Sequence, residues 1–87
     1  MYDVELIIMN KDIVRDPEGE TLQKYVIEKV IKDVIETRVG KYILFKIEAN
    51  SEESARKLIE KVAKETRLYN PIVHKILIRV KKNDSDN

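Results

Sequence analysis

Four stretches of the chain have the pattern of strands: three alternate apolar and polar residues, and the remaining one, residues 34–39, is rich in β-branched residues. Over residues 2–9 the alternation places Val4, Leu6 and Ile8 on one face, and the stretch then becomes apolar on both faces, which predicts a central strand. The other three stretches are residues 34–39, 42–49 and 72–81. Because Gly40-Lys41 separates the second stretch from the third, we predict a type II′ hairpin turn with a positive φ at Gly40.

Two further stretches repeat apolar residues with the 3.6-residue period of a helix. Asp16 predicts the N-cap, and Pro17 the first position, of a helix that runs to about Lys32 and covers the sheet. Asn50 predicts the start of a second helix, whose apolar period is the clearest in the chain.

The resulting order, β-α-β-β-α-β with short connections, is typical of α+β two-layer sandwiches. We predict a ferredoxin-like fold, with a four-stranded antiparallel sheet and both helices on one of its faces. Residues 1–81 are predicted to form this single domain, because a chain of 87 residues has room for only one core. Residues 82–87 are predicted to be a disordered polar tail.

The charges of the chain nearly cancel, with 17 Lys and Arg against 16 Asp and Glu. This balance provides no electrostatic attraction to nucleic acid or to an anionic membrane, so neither is predicted as a partner. The chain has no cysteine, which excludes disulfides, thiolate nucleophiles and thiolate metal sites. We therefore expect a cytoplasmic protein, and no apolar run is long enough to span a membrane.

Residues that carry catalytic chemistry are scarce. His74 is the only histidine and has no fixed carboxylate or serine partner, so no catalytic residue is predicted. The acids around Asp16 are explained by a helix N-terminus, and their spacing matches no calcium-binding loop. Gly19 and Gly40 are the only glycines, too few for a phosphate-binding loop. We predict no metal ion and no cofactor in this chain.

The face of the predicted sheet that points away from the helices carries five large apolar residues. They are Ile7, Met9, Tyr42, Leu44 and Leu77. A monomer would expose them to water, and exposed patches of this kind mark protein contacts. We predict that this face packs on a second copy of the chain or on another subunit.

Three short segments are more specific than the fold. They are Arg15-Asp16-Pro17-Glu18-Gly19-Glu20-Thr21, Arg38-Val39-Gly40-Lys41-Tyr42-Ile43 and Asn70-Pro71-Ile72-Val73. In this order and at this spacing, the chain resembles the PurS family, the small subunit of bacterial and archaeal phosphoribosylformylglycinamidine (FGAM) synthase. The resemblance covers residues 1–81.

The resemblance implies a non-catalytic subunit, inactive alone, of a glutamine-dependent ligase in de novo purine (IMP) biosynthesis. The complex converts formylglycinamide ribonucleotide (FGAR), ATP and glutamine to FGAM, ADP, phosphate and glutamate. By this resemblance ATP and Mg²⁺ belong to the PurL subunit, PurQ releases ammonia, and a PurS homodimer bridges the two and assists ammonia transfer. The alternative is a free-standing ferredoxin-like domain that binds a ligand or regulates another protein.

The family's motifs select nine candidate residues for contact with PurL or PurQ. They are Arg15, Asp16, Pro17, Gly19, Arg38, Gly40, Lys41, Asn70 and Pro71. Those in the helix start, the hairpin turn and the helix stop also have a structural explanation. The three cations have no evident folding role in the sequence, which makes them the better interface candidates.

Overall fold

The computed structural model describes residues 1–83, which contain three strands and two helices. The strands are β1 (Tyr2–Asn10), β2 (Gly40–Ile47) and β3 (His74–Lys82), and the helices are α1 (Pro17–Tyr25) and α2 (Glu52–Glu65). β1 pairs antiparallel with both other strands, in the order β2-β1-β3. The predicted α+β class and the central position of β1 are therefore confirmed.

The core lies between the sheet and α2. Alternate residues of β1 are buried against residues spaced by four along α2: Val4, Leu6, Ile8, Ala55, Ile59 and Ala63. The two alanines have small side chains, so the helix can approach the sheet closely. This burial follows the strand and helix periods that the sequence predicts.

The ends of α2 differ slightly from the prediction. Ser51, and not Asn50, is the N-cap, because its Oγ accepts a hydrogen bond from the Ser54 N–H at 3.1 Å. After the helix, Arg67 adopts a left-handed φ of 55°, and the Leu68 N–H donates back to a carbonyl of the last turn. This is the Schellman arrangement that commonly ends helices, here with arginine where glycine is usual.

The sheet has three strands and not the predicted four, because residues 34–39 join no strand within the described part of the chain. The predicted hairpin turn is wrong. Gly40 is the first residue of β2, pairs with Met9 and does not have a positive φ. The residues before Gly40 are held against the loop that follows β1 by the Asp16 carboxylate and by the Arg38 side chain, and these contacts replace strand pairing.

α1 is shorter than predicted and does not cover the sheet. It ends at Tyr25 and is followed by a single 3₁₀ turn, Ile27–Lys29. Four β-branched residues occur within residues 26–31, and such residues disfavour helix because their side chains lose freedom there. α1 packs on the 3₁₀ turn and makes no extensive contact with the strands or α2. The prediction of two helices on one sheet face is therefore wrong.

The described chain thus has two parts. We call residues 11–39 the arm, and the three strands with α2 the body. The Cα radius of gyration is 16.2 Å, whereas a compact chain of this length has a radius of about 12 Å. The principal extents are 46 × 32 × 16 Å. The arm accordingly extends beyond the body instead of folding over it.

β3 runs through Lys82, one residue into the predicted polar tail. The Asn83 N–H then donates to the Met1 carbonyl at 2.8 Å. The rest of the predicted tail, residues 84–87, lies outside the described residues. No helix within residues 1–83 is long and apolar enough to cross a membrane.

Candidate partner interface

The three family-like segments meet at one end of the sheet. Because β1 is antiparallel to both neighbours, its last residues lie beside the first residues of β2 and β3, and Met9 faces Gly40 on one side and Lys75 on the other. The Lys11 N–H donates to the Val73 carbonyl at 2.9 Å, which ties the turn before β3 to the loop after β1. We call this region the motif end; it comprises residues 10–19, 38–41 and 70–74.

Arg38 has a folding role, so the prediction that it has none is wrong. One nitrogen of its guanidinium donates to the carbonyls of Asn10, Lys11 and Val14 at 3.2, 3.0 and 3.1 Å. The Arg38 side chain is only 19% exposed. A cation shared by three carbonyls fixes the path of the loop after β1. The sequence contains no signal for this contact, because the acceptors are backbone atoms of distant residues.

Asp16 is buried and joins the two ends of the arm. Its Oδ1 accepts from the Gly19 N–H at 3.1 Å, and its Oδ2 accepts from the Val39 N–H at 2.7 Å. These bonds to the ionised carboxylate, first that from Val39 and then that from Gly19, lower the pKa of Asp16. The predicted N-cap is confirmed, with Pro17 as the first helical residue. The bond to Val39 is a second role that the sequence does not reveal.

Gly19 lies where α1 passes closest to the end of the arm. A Cβ at this position would overlap the carbonyl oxygen of Thr37 and the side chain of Asp16. One turn later, Gln23 Nε2 donates to the Val34 carbonyl at 3.0 Å. α1 is therefore packed on residues 34–37 through a glycine and an amide.

Position 40 requires glycine because neighbouring atoms of β1 lie too close for a Cβ, and not because the chain turns there. A Cβ there would come within 2.7 Å of Met9 Cγ and 2.8 Å of the Ile8 carbonyl oxygen. Any larger residue would have to displace the backbone of β2 from that of β1. The predicted reason for this glycine, a positive φ, is replaced by close pairing of the strands.

Asn70 and Pro71 lie in a turn that His74 completes. Asn70 Oδ1 accepts from the Ile72 N–H at 3.0 Å, and the Asn70 carbonyl accepts from the His74 N–H at 2.7 Å. The Asn70 N–H donates to Nδ1 of His74 at 2.9 Å. The imidazole thus fixes the entry into β3. The turn lies well beyond the end of α2 at Glu65, so these residues direct β3 and do not themselves stop the helix.

The other candidates expose their side chains. Arg15 Nε pairs with Glu20 Oε2 at 2.9 Å, and both side chains are exposed, so the pair contributes little stability and can exchange for an acid of a partner. The Lys41 side chain is exposed and makes no hydrogen bond or ion pair within residues 1–83. Pro17 and Pro71 are also exposed. The nine candidates therefore separate into residues that shape the motif end and residues that a partner can touch.

A cleft of about 640 Å³ opens at the motif end, between the start of α1 and the start of β2. Its lining includes Asp16, Pro17, Lys41 and His74. Asp16 and His74 already hold backbone groups, which leaves Lys41 as the cation with free donors. No group of three or more His, Asp or Glu within residues 1–83 is placed to hold a metal ion.

The five residues predicted for the outer sheet face do lie on it, opposite α2. The register places Ile7 between Tyr42 and Leu77 in one row across the three strands. Leu44 lies in the row before, and Met9 in the row after. Three of the five side chains are about half exposed. Their placement agrees with the register, and their role in a contact with a second copy stays a prediction.

Charged residues border this apolar row. Asp3 lies between Lys46 and Lys81 in the register. The Tyr42 hydroxyl donates to Glu5 Oε2 at 2.7 Å, and this bond to a carboxylate raises the pKa of Tyr42. An apolar centre with a border of both charges is the composition of a protein–protein contact.

Comparison with known proteins connects these features to one family. The family model described as "PurS: Phosphoribosylformylglycinamidine (FGAM) synthase" matches residues 3–82. The PurS subunit of Thermotoga maritima is 30% identical over 79 residues, which cover 91% of this chain and 95% of the relative. The PurS subunit of Methanocaldococcus jannaschii is 33% identical over 82 residues, which cover 94% and 98%.

Solved structures agree with the sequence comparison. The crystal structure of Methanocaldococcus jannaschii PurS is similar with a TM-score of 0.85 at 32% identity, over 97% of this chain and 100% of that one. A chain of the structure of PurLQS from Thermotoga maritima has a TM-score of 0.77 at 30% identity, over 93% and 99%. Family model, relatives and structures all span nearly the whole length of this sequence, and the chain therefore belongs to the PurS family.

Proposed function

We propose that this chain is the small, non-catalytic subunit of FGAM synthase, which converts FGAR, ATP and glutamine to FGAM, ADP, phosphate and glutamate in de novo purine biosynthesis. The observation that carries the proposal is the match to the PurS family over residues 3–82. The similarity to a chain of a PurLQS structure supports a place in a three-component assembly.

In this proposal the chain joins PurL to PurQ and assists the transfer of ammonia between them. ATP and Mg²⁺ are held by PurL, and this chain binds no cofactor of its own. Its cysteine-free composition is consistent with the reducing cytoplasm, where we place the complex.

We assign the partner contact to the motif end. Arg15, Pro17, Lys41 and Pro71 are the exposed candidates, and two of them are cations able to pair with acids of PurL or PurQ. The others, buried or hydrogen-bonded, hold these four in place. They are Asp16, Gly19, Arg38, Gly40 and Asn70.

We assign the homodimer contact to the outer sheet face. Burial of its apolar row by a second copy would remove half-exposed side chains from water. Leu77→Glu is expected to convert the dimer to a monomer, as judged by the molar mass from analytical ultracentrifugation. Leu58→Glu on α2 is the control, because Leu58 is 43% exposed and Leu77 48%. Equal dimer mass for both variants would contradict this assignment.

Reconstitution tests the assembly role. Glutamine-dependent FGAM formation by purified PurL and PurQ should require this chain, whereas ammonia-dependent formation by PurL should depend on it much less. If the glutamine-dependent rate is the same without the chain, the proposal fails and a free-standing regulatory domain becomes the better interpretation.

A charge reversal tests the motif end within the same assay. Lys41→Glu should weaken co-elution with PurL and PurQ at moderate salt and lower the glutamine-dependent rate. The control is Lys57→Glu, which changes an exposed lysine of α2 that forms an ion pair with Glu53. Equal effects of the two substitutions would remove the motif end from the partner contact.

A further inference from the structure

Another cleft opens where the chain passes from α2 to β3. Its volume is about 640 Å³, within the range of pockets that hold small molecules. Apolar and ring-bearing side chains form most of its lining, together with two cations: Leu68, Tyr69, Pro71, Ile72, Lys64 and Arg67. No carboxylate of residues 1–83 contributes to this lining. We call it the turn cleft.

Arg67 is the residue of the turn cleft that folding explains least. Its φ of 55° lies in the left-handed region, where glycine is usual and a Cβ adds strain. The exposed side chain makes no hydrogen bond or ion pair within residues 1–83, so no polar contact of its own offsets this cost. Backbone strain of this kind is concentrated at binding sites. We therefore attribute the arginine at this position to its guanidinium group.

Two cations of the turn cleft are available to an anion. Lys64, in the last turn of α2, is exposed like Arg67 and also makes no hydrogen bond or ion pair within the described chain. The last carbonyls of α2, which would repel an anion, already accept the N–H groups of residues 66–68. A guanidinium fork and an ammonium group together match a phosphate, which carries nearly two negative charges and three acceptor oxygens.

His74, which also lines the turn cleft, supplies a third donor. Its Nδ1 accepts the Asn70 N–H at 2.9 Å, so the neutral imidazole carries its proton on Nε2 and donates from that nitrogen. The imidazole and the phenol of Tyr69 are flat rings, and Ile72, which is 78% exposed, adds an aliphatic surface. Flat ligands such as nucleobases stack on side chains of this kind.

We propose that the turn cleft binds a small organic phosphate with a flat body, of the class of a nucleoside monophosphate. Lys64, Arg67 and the Nε2–H of His74 hold the phosphate, and the apolar lining covers the flat body. In the proposed function the reaction takes place on PurL, so this ligand is an effector and not a substrate of the chain. Because residues 70–74 also belong to the motif end, a bound ligand alters the surface that a partner meets. This regulatory meaning rests on the proposed function, whereas the binding itself does not.

Titration of the isotope-labelled full chain, followed by the NMR signals of its amides, tests the site. Adenosine 5′-monophosphate is the probe, because it joins a phosphate to a flat base. It should shift the amides of residues 64–74 in a saturable manner. Adenosine lacks the phosphate and ribose 5-phosphate lacks the base, so each should bind at least about tenfold more weakly. Equal affinities for the three compounds, no binding, or shifts confined to other residues would overturn the proposal.

Arg67→Gly separates binding from folding. Glycine suits the left-handed backbone, so the variant should keep its thermal midpoint while its affinity for adenosine 5′-monophosphate falls about tenfold. Lys64→Gln should weaken binding in the same way. Lys61→Gln is the control, because Lys61 is exposed on the same helix, pairs with Glu65 at 3.8 Å and lies outside the lining of the turn cleft. An equal loss for Lys61→Gln and Arg67→Gly would contradict the proposal.

The remaining outcomes distinguish this proposal from the proposed function. If PurL or PurQ shifts the amides of the turn cleft and adenosine 5′-monophosphate does not, a partner subunit occupies the cleft, and the ligand proposal fails while the assembly role stands. If the nucleotide binds but the chain does not support glutamine-dependent FGAM formation, the binding site stands and the proposed function fails.

Discussion

The body and the arm are held together by different forces. In the body, Val4, Leu6 and Ala55 are completely buried, and two long ladders join the strands. The buried residues of the arm are Asp16 and Gly19, and both make polar or backbone contacts. Apolar burial therefore stabilises the body, whereas directed hydrogen bonds set the position of the arm.

The contacts that position the arm therefore contribute little to the stability of the whole chain. A hydrogen bond contributes only about 0.5–1.5 kcal/mol net, because the same groups bind water when the chain opens. The arm of an isolated chain should consequently open before the body unfolds, with faster amide exchange at Val39 than at Leu6. In the folded chain, however, these hydrogen bonds already order the surface of the arm that a partner would bind.

The largest effect is expected in the body. Leu6→Ala should lower the free energy of unfolding by about 2–5 kcal/mol, because it leaves a cavity in a fully buried site beneath α2. Urea denaturation measures this change. Ile13→Ala in the arm should change it by less than about 0.5 kcal/mol, since that side chain is exposed. Similar losses for the two variants would contradict the division into body and arm.

Gly19→Ala should disrupt the packing of α1 within the arm. Alanine normally stabilises a helix relative to glycine, but here its Cβ would overlap the Thr37 carbonyl. We expect the free energy of unfolding, measured by urea denaturation, to fall by about 1–3 kcal/mol, as at overpacked sites. Glu18→Ala, one residue earlier and exposed, is the control and should have a small effect. A stabilised Gly19→Ala variant would mean that α1 is not packed on residue 37.

Arg38→Ala should lower the free energy for opening the arm by about 1–3 kcal/mol, because three carbonyls lose a charged donor. The change should be concentrated in the arm, so hydrogen exchange at Val39 should rise while exchange at Leu6 stays the same. Lys41→Ala is the matched control and should leave both unchanged. Unchanged exchange at Val39 in the Arg38→Ala variant would contradict the folding role that the structure assigns to Arg38.

The smallest effect is the pH dependence of the arm. The pKa of Asp16 is lowered in the folded chain, so its stabilising contribution is complete above the unfolded pKa and is lost as the pH falls through the lower folded value. Exchange at the Val39 and Gly19 amides should therefore accelerate below about pH 4, beyond its ordinary pH dependence.

Asp16→Asn provides the comparison for this pH effect. An amide presents one acceptor oxygen where the carboxylate presents two, so the substituted side chain can hold only one of the two N–H groups. Exchange in this variant should be faster at neutral pH and should show no additional acceleration in acid. A variant with the acid response of the unmodified chain would assign that response to another carboxylate.

The sequence predicts the body well, because the body follows simple periods. Two-residue alternation identifies β1, and four-residue spacing identifies Ala55, Ile59 and Ala63 as the buried stripe of α2. The outer face follows from the same alternation, so its five apolar residues could be predicted, although their register could not. Short-range signals also locate the N-cap at Asp16.

The same reasoning fails for the arm, because the contacts of the arm are long-range and are made by polar atoms. Residues 34–39 have strand composition, but their path is decided by the Asp16 carboxylate and by carbonyls that Arg38 reaches across the sequence. Gly40 shows a related failure. A glycine between two strand-like runs indicates a turn, whereas this glycine is needed because the strands approach closely. Neither distinction can be read from neighbouring residues.

The arm also leaves and re-enters the body at directly paired residues, since Met9 of β1 faces Gly40 of β2. Topologically it is an insertion into a β-hairpin, and its two ends already lie side by side. Insertions of this kind can be shortened, lengthened or exchanged without moving the scaffold that carries them. A shortened chain, with a tight turn from Met9 to Gly40, would retain every element of the buried core. The body can therefore serve as a small scaffold onto which other recognition loops are grafted.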